Sequence, residues 1–152
     1  MLTEFARPTA EHFIELADVI QPFDVWMAPL LREHALALSE IALEDPRSLT
    51  CLYGGKVVGS GGVRMDTHEA WQFFAKDCRR SMRAMIEQLR LAVAHHILEF
   101  GKIWVTIDPK RPNARRFAAV VGFNLVEGDI WSLTYDELFG EVYEERAAGA
   151  VG

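Results

Sequence analysis

The chain has 152 residues, 50% hydrophobic and 25% charged, with a formal net charge of −6. That length suits one domain able to bury a core, and the acidic balance excludes a general nucleic-acid binder, which needs an overall basic surface. No stretch approaches the ~20 apolar residues of a membrane span, and Thr3, Glu4 and Arg7 interrupt any leader-like run, so the expectation is a soluble cytoplasmic protein with no membrane partner.

Leu2 to Ala6 reads as a first strand. Arg7-Pro8-Thr9 punctuates the chain, with Thr9 placed to cap a helix whose apolar face is Phe13, Leu16, Ala17 and Ile20. Gln21-Pro22 breaks that helix, and Asp24 is placed to cap a turn through Val25-Trp26-Met27. Pro29 suits the first position of a second helix carrying Leu30, Leu31, Ala35, Leu38, Ile41 and Ala42, which Asp45-Pro46 ends.

Ser48 to Tyr53 and Lys56 to Met65 flank Gly54-Gly55, a hairpin signal. The second strand carries Gly59-Ser60-Gly61-Gly62, where glycine marks either a bend of the sheet or the close approach of another group. Cys51 and Cys78 lack CxxC spacing and read as free buried thiols. Asp66 to Glu69 turns the chain into a short aromatic strand, Trp71 to Ala75.

Lys76, Arg79, Arg80 and Arg83 then crowd the start of a long helix that runs to about Phe100 and stops at Gly101. A helix N-terminus carries roughly +0.5 of a charge, so cations there are unfavourable unless an anion is present. Two readings follow: a phosphate site on the helix end, or a solvated cluster balanced by Asp77 and Glu87. Met82, Met85, Ile86, Leu89, Val93 and Ile97 share one face as core, while Arg83, Glu87 and Arg90 lie off it as paired charges. His95-His96 has no further ligand at metal-like spacing, and no metal site is expected.

Ile103 to Ile107 is a further strand, so the long helix reads as a crossover between two parallel strands. Pro112 to Val121 is a short helix ended by Gly122-Phe123, and Asn124 to Val126 and Ile130 to Tyr135 make a terminal hairpin. Trp131 reads either as core or as an aromatic that pairs two copies in a homodimer. From Asp136 the tail is acidic, with Glu137, Glu141, Glu144 and Glu145, and its end is expected to fray.

The order of elements, with Arg111-Pro112-Asn113-Ala114-Arg115-Arg116-Phe117-Ala118-Ala119-Val120-Val121-Gly122-Phe123, resembles the GNAT superfamily of N-acetyltransferases. The aromatic strand, the basic helix entry and this ending look most like its phage-encoded members, including a small internal virion protein. The resemblance implies an α/β (α+β) fold, with a mixed, mostly antiparallel central sheet and flanking helices. It spans residues 1–137 as one domain and leaves 138–152 as tail. It also implies acetyl-coenzyme A as cofactor, held by Phe74, Ala75, Arg79, Arg80, Ser81, Met82, Arg83, Asn113, Arg116 and Phe117. Arg79 to Ala84 matches the family's [Gln/Arg]-x-x-Gly-x-[Gly/Ala] loop at both ends, with Met82 at the central glycine. Ala118 stands where the family has its general-acid tyrosine, with Tyr135 as a possible substitute, and Glu69 and neighbouring His68 are the candidates for a base.

The reaction implied is acyl transfer to an amine on a small molecule or protein, with a backbone N–H of the aromatic strand polarising the carbonyl. The other reading is a GNAT-fold phage accessory or virion-associated protein without catalysis. It would act in the host cytoplasm or virion on a phage or host protein through Trp26, Met27 and the Arg79 to Arg83 cluster.

Overall fold

The computed structural model describes residues 2–140, which fall into two compact units divided between Gln88 and Leu89. The first unit is a four-stranded antiparallel sheet with helices. Its elements are β1 (Thr3–Ala6), α1 (Ala10–Val19), α2 (Ala28–Glu33), α3 (Ala35–Glu44), β2 (Leu49–Tyr53), β3 (Lys56–Val63) and β4 (Ala70–Phe74). The strands run in the order β1-β2-β3-β4. Thr9 caps α1 as its sequence position predicts: its hydroxyl accepts from the His12 N–H, and His12 Nδ1 accepts from the Thr9 N–H, both at 3.2 Å. Gly54 and Gly55 both take positive φ, 57° and 80°, the geometry of a tight two-residue hairpin turn.

Alternation along β4 divides its side chains between two clusters. Trp71 and Phe73 pack on Phe13, Ala17, Ile20 and Leu31, with the Trp71 and Phe13 ring centres 6.0 Å apart. Phe74 packs with Cys51, Val58, Cys78 and Met85. All five β4 residues are half-buried, so the aromatic strand lines both clusters without lying inside either.

The glycines of β3 serve both readings: the strand bulges at Val58, where Cys51 faces Gly59 and Leu52 faces Val57, and neighbouring groups approach it closely. A Cβ on Gly59 would meet Met85 Sδ at 3.0 Å, and one on Gly61 would overlap the Gln72 side chain. One on Gly62 would come within 2.8 Å of Ser48 Cβ. Neighbouring side chains lie across the strand where it has none of its own.

The second helix is shorter than its apolar pattern implies. It divides at His34, whose ψ of 22° lies off the helical value, into α2 and α3. The break re-aims the stripe: Leu31, Ala35 and Ala42 are buried, whereas Leu30 and Ile41 are exposed. Pairing of the aromatic strand also departs from expectation. β4 pairs antiparallel with β3, and no parallel pair forms among the described strands. The outer edge of its end is taken instead by the chain after α1. The Gln21 N–H donates to the Phe74 carbonyl (3.0 Å) and the Lys76 N–H to the Val19 carbonyl (2.7 Å), bridging Ile20 to Ala75.

α4 (Met82–Phe100) begins in the first unit and ends in the second, where Gly101 closes it with φ 83°. The second unit adds β5 (Lys102–Thr106), α5 (Pro112–Val121), β6 (Asn124–Glu127) and β7 (Ile130–Thr134), with the strands in the antiparallel order β5-β7-β6. The Gly122 and Phe123 N–H groups both return to the Ala118 carbonyl, ending α5. Trp131 is buried, with the Arg115 guanidinium 5.6 Å from its ring centre, so of its two readings the core role is the one the fold uses. His96 is buried beside the Phe100 ring. Residues 135–140 are helical, and the rest of the acidic tail lies outside the described residues. No helix among the described residues is long and apolar enough to cross a membrane.

Candidate cofactor-binding site

In the first unit the chain leaves β4 through Ala75, passes Lys76 and Asp77, and makes a 3₁₀ turn, Arg79–Ser81, before α4 starts at Met82. The Ser81 N–H donates to the Cys78 carbonyl and the Met82 N–H to the Arg79 carbonyl. Those two amides are therefore used within the turn. The long helix starts later than the basic residues suggest because this turn precedes it.

Side chains of the turn separate by direction. Ser81 is buried, and its hydroxyl lies 3.1 Å from the Thr3 hydroxyl of β1. It also bonds the Cys51 thiol. Met82 packs on the buried cluster of Cys51, Val58, Cys78 and Met85. Its φ and ψ of −59° and −44° are ordinary helical values, so nothing in the backbone here requires glycine. Ala75 and Cys78 are buried, and the Gln21 amide donates to Cys78 Sγ at 3.7 Å.

The cations face outward. Lys76, Arg79, Arg80 and Arg83 are all exposed. Arg80 donates to the Tyr53 side chain; that bond, then the Tyr53 and Asp77 charges, raises its guanidinium pKa. Arg83 pairs with Glu87 one turn along the helix at 3.7 Å with both groups well solvated, a weak contact. The entry to α4 is thus fixed on its inner side by Ser81, Cys78 and Met82 and offers positive charge on its outer side. Burial is the main cause that pushes up both thiols, Cys51 to about 11, so neither is a nucleophile at neutral pH.

Glu69 ends the β3–β4 turn. Its carbonyl accepts from the Arg64 N–H at 2.8 Å, and its neighbour His68 has a positive φ of 63°. Phe74 lies five residues beyond Glu69 along the strand, about 17 Å away. A base at Glu69 would reach a group beside Phe74 only through intervening water.

In the second unit, α5 has Pro112 in its first turn and no side-chain cap. Asn113 and Arg116 are exposed, Phe117 is half-buried, and Ala118 is buried. Tyr135 follows β7. Its N–H donates to the Gly101 carbonyl and its ring lies 4.9 Å from Phe139, so it stands exposed at the end of the sheet. Tyr53, Thr3 and Gln21, which brace the α4 entry, are 27 to 78 residues from their partners in sequence.

No protein-family model matches the chain, and no curated protein matches its sequence. Solved structures do match. The N-acetyltransferase PaiA of Thermoplasma acidophilum, in complex with coenzyme A, aligns with 89% of this chain and 100% of its own at TM-score 0.62 and 12% identity. The aminoglycoside acetyltransferase AAC(6')-Ib with coenzyme A and kanamycin aligns with 93% of this chain and 99% of its own, at TM-score 0.62 and 13% identity. An acetyltransferase of Streptococcus agalactiae covers 87% and 98%, at TM-score 0.60 and 15% identity. The chain has the GNAT fold. At these identities the likeness is one of fold. Within the GNAT frame the α4 entry keeps arginine and alanine at the ends of the loop pattern and carries a helical methionine at its centre.

Proposed function

We propose that this protein is an N-acetyltransferase that transfers an acetyl group from acetyl-coenzyme A to an amine. The observation that carries the reading is the α4 entry: a 3₁₀ turn anchored inside by Ser81 and Met82 that turns Lys76, Arg79 and Arg83 outward. The residues present suit a pyrophosphate. Met82 is turned into the core, so it does not fill the outer side of the turn, and positive charge there offsets the phosphates where the helix dipole already favours an anion. Since the Ser81 and Met82 amides are used inside the turn, recognition rests on side chains more than on backbone.

Lys76, Arg79 and Arg83 would hold the phosphates, with Arg80 steadied by Tyr53. Phe74 and Ala75 would lie along the thioester arm, and Ser81 and Met82 serve as the inner brace of the turn. Asn113, Arg116 and Phe117 are proposed cofactor contacts on the family pattern. The cofactor supplies an activated acetyl thioester. The protein's part is to position it, to take a proton from the incoming ammonium, for which Glu69 through water is the proposed base, and to pass the proton that the nitrogen sheds after attack to the leaving thiolate, for which Tyr135 is the proposed acid. Both neighbours described above with a bound ligand contain coenzyme A, and one also holds kanamycin, an amine-bearing acceptor. The expected result is release of free thiol from acetyl-coenzyme A on adding a mixture of primary amines, with acetylated amine found by mass spectrometry. Thiol release without acetylated product would reduce the reading to a thioesterase; no release would remove it.

A further inference from the structure

The proposed acetyltransferase reading leaves the acceptor open, and the chain after α1 bears on its chemistry. Residues Pro22–Met27 form a 3₁₀ turn leading into α2. Its position is fixed at both sides. Val19 to Gln21 is hydrogen-bonded to Phe74 and Lys76 at the end of β4, and within the turn the Asp24 N–H returns to the Gln21 carbonyl at 2.9 Å while the Asp24 side chain is buried. The turn therefore stands directly beside the segment that leads into the α4 entry. What it presents outward is apolar: Trp26 is 65% exposed, Val25 59% and Phe23 48%, with Leu30 at 42% on the next helix. From Val19 to Leu31 the one ionisable side chain is Asp24, and it is inside.

We infer that the acceptor that meets this turn is an amine carried on an aromatic or other apolar body, not a polycation. Three observations combine. A large indole left two-thirds exposed on a segment tied down by main-chain bonds is a fixed surface that gains from being covered. That surface adjoins the end of the strand at which the thioester is proposed to lie. A polyamine or aminoglycoside would need carboxylates to replace the water around several ammonium groups, and this surface offers none. In the transfer itself the neutral amine nitrogen forms a bond to the acetyl carbon and the carbon–sulfur bond breaks. The amine's proton is taken up at the thiolate, giving amide and coenzyme A thiol.

The test compares phenethylamine with spermidine and kanamycin on the full chain. Saturation-transfer NMR with each amine reads contact without turnover, and thiol release from acetyl-coenzyme A reads transfer. Phenethylamine is expected to show transfer from the protein and to be acetylated. Trp26→Ala should raise its KM about ten-fold, Trp26→Phe should restore most of that loss, and acetyl-coenzyme A affinity should stay as in the wild type. Preferential turnover of spermidine or kanamycin overturns the inference, as does an unchanged phenethylamine KM in Trp26→Ala. So does binding of acetyl-coenzyme A with no phenethylamine contact in the NMR experiment. Failure to bind acetyl-coenzyme A is a separate result that removes the acetyltransferase reading and this inference with it.

Discussion

Two polar regions of the first unit treat their charges in opposite ways. Where α3 meets β2 and β3, polar groups close on one another. Asp45 accepts from the Arg47 N–H (2.9 Å) and the Val63 N–H (2.8 Å), and Ser48 Oγ donates to the Ala42 carbonyl at 2.6 Å. Arg7 donates to the Ser48 and Asp45 carbonyls, both at 2.8 Å. Asp45 and Ser48 are buried. At the α4 entry the inner groups are tied in the same manner, through Ser81, but Lys76, Arg79 and Arg83 are left facing solvent. The first region holds β3 in place. The second is built the same way on one side only, and its other side is the part that can meet a ligand.

Substitutions in the two regions should therefore separate stability from binding. Asp45→Ala leaves the buried Val63 N–H and the part-buried Arg47 N–H without their acceptor and should lower unfolding free energy by about 3 kcal/mol, read from a urea midpoint. Gly62→Ala forces a Cβ to within 2.8 Å of Ser48 Cβ and 3.1 Å of the Trp71 ring. Its expected cost is about 2 kcal/mol. Ser81→Ala removes the inner brace and should cost about 1 kcal/mol, while the Kd for acetyl-coenzyme A changes little. A binding loss without a stability loss in that variant would mean that Ser81 contacts ligand directly.

The smallest effect is in alkali. Burial raises Cys51 from 9.0 to about 11 and raises Cys78 as well, so the folded state favours the neutral thiols. That contribution is complete below pH 9.0 and fades as pH rises towards about 11, because the unfolded chain ionises first. Cys51→Ala should flatten the fall of the urea midpoint across that window.

Much of the frame was legible because it depends on local chemistry. Thr9 with its helix, Gly54-Gly55 with its hairpin and Gly101 at the end of α4 each act within a few residues. The split at His34 was hidden because the apolar pattern runs on through it. The parallel pairing of the aromatic strand failed because a distant segment, Val19 to Gln21, takes its edge. The basic helix entry stood out in sequence, but which of its residues face in was not visible. Ser81 and Met82 turn to the core because Thr3, Cys51 and Val58 wait there, all from strands far along the chain.

In the proposed function the outward cations of the α4 entry bind the phosphates of acetyl-coenzyme A. Calorimetric titration of acetyl-coenzyme A into the wild type and a Lys76→Ala/Arg79→Ala variant tests it most directly. Saturable binding is expected in the wild type and a Kd weaker by about ten-fold or more in the variant, with both proteins equally stable in urea. Equal affinity in the two would place the phosphates elsewhere. No heat at millimolar ligand would contradict the proposed cofactor site and turn attention to a protein partner for the same basic surface.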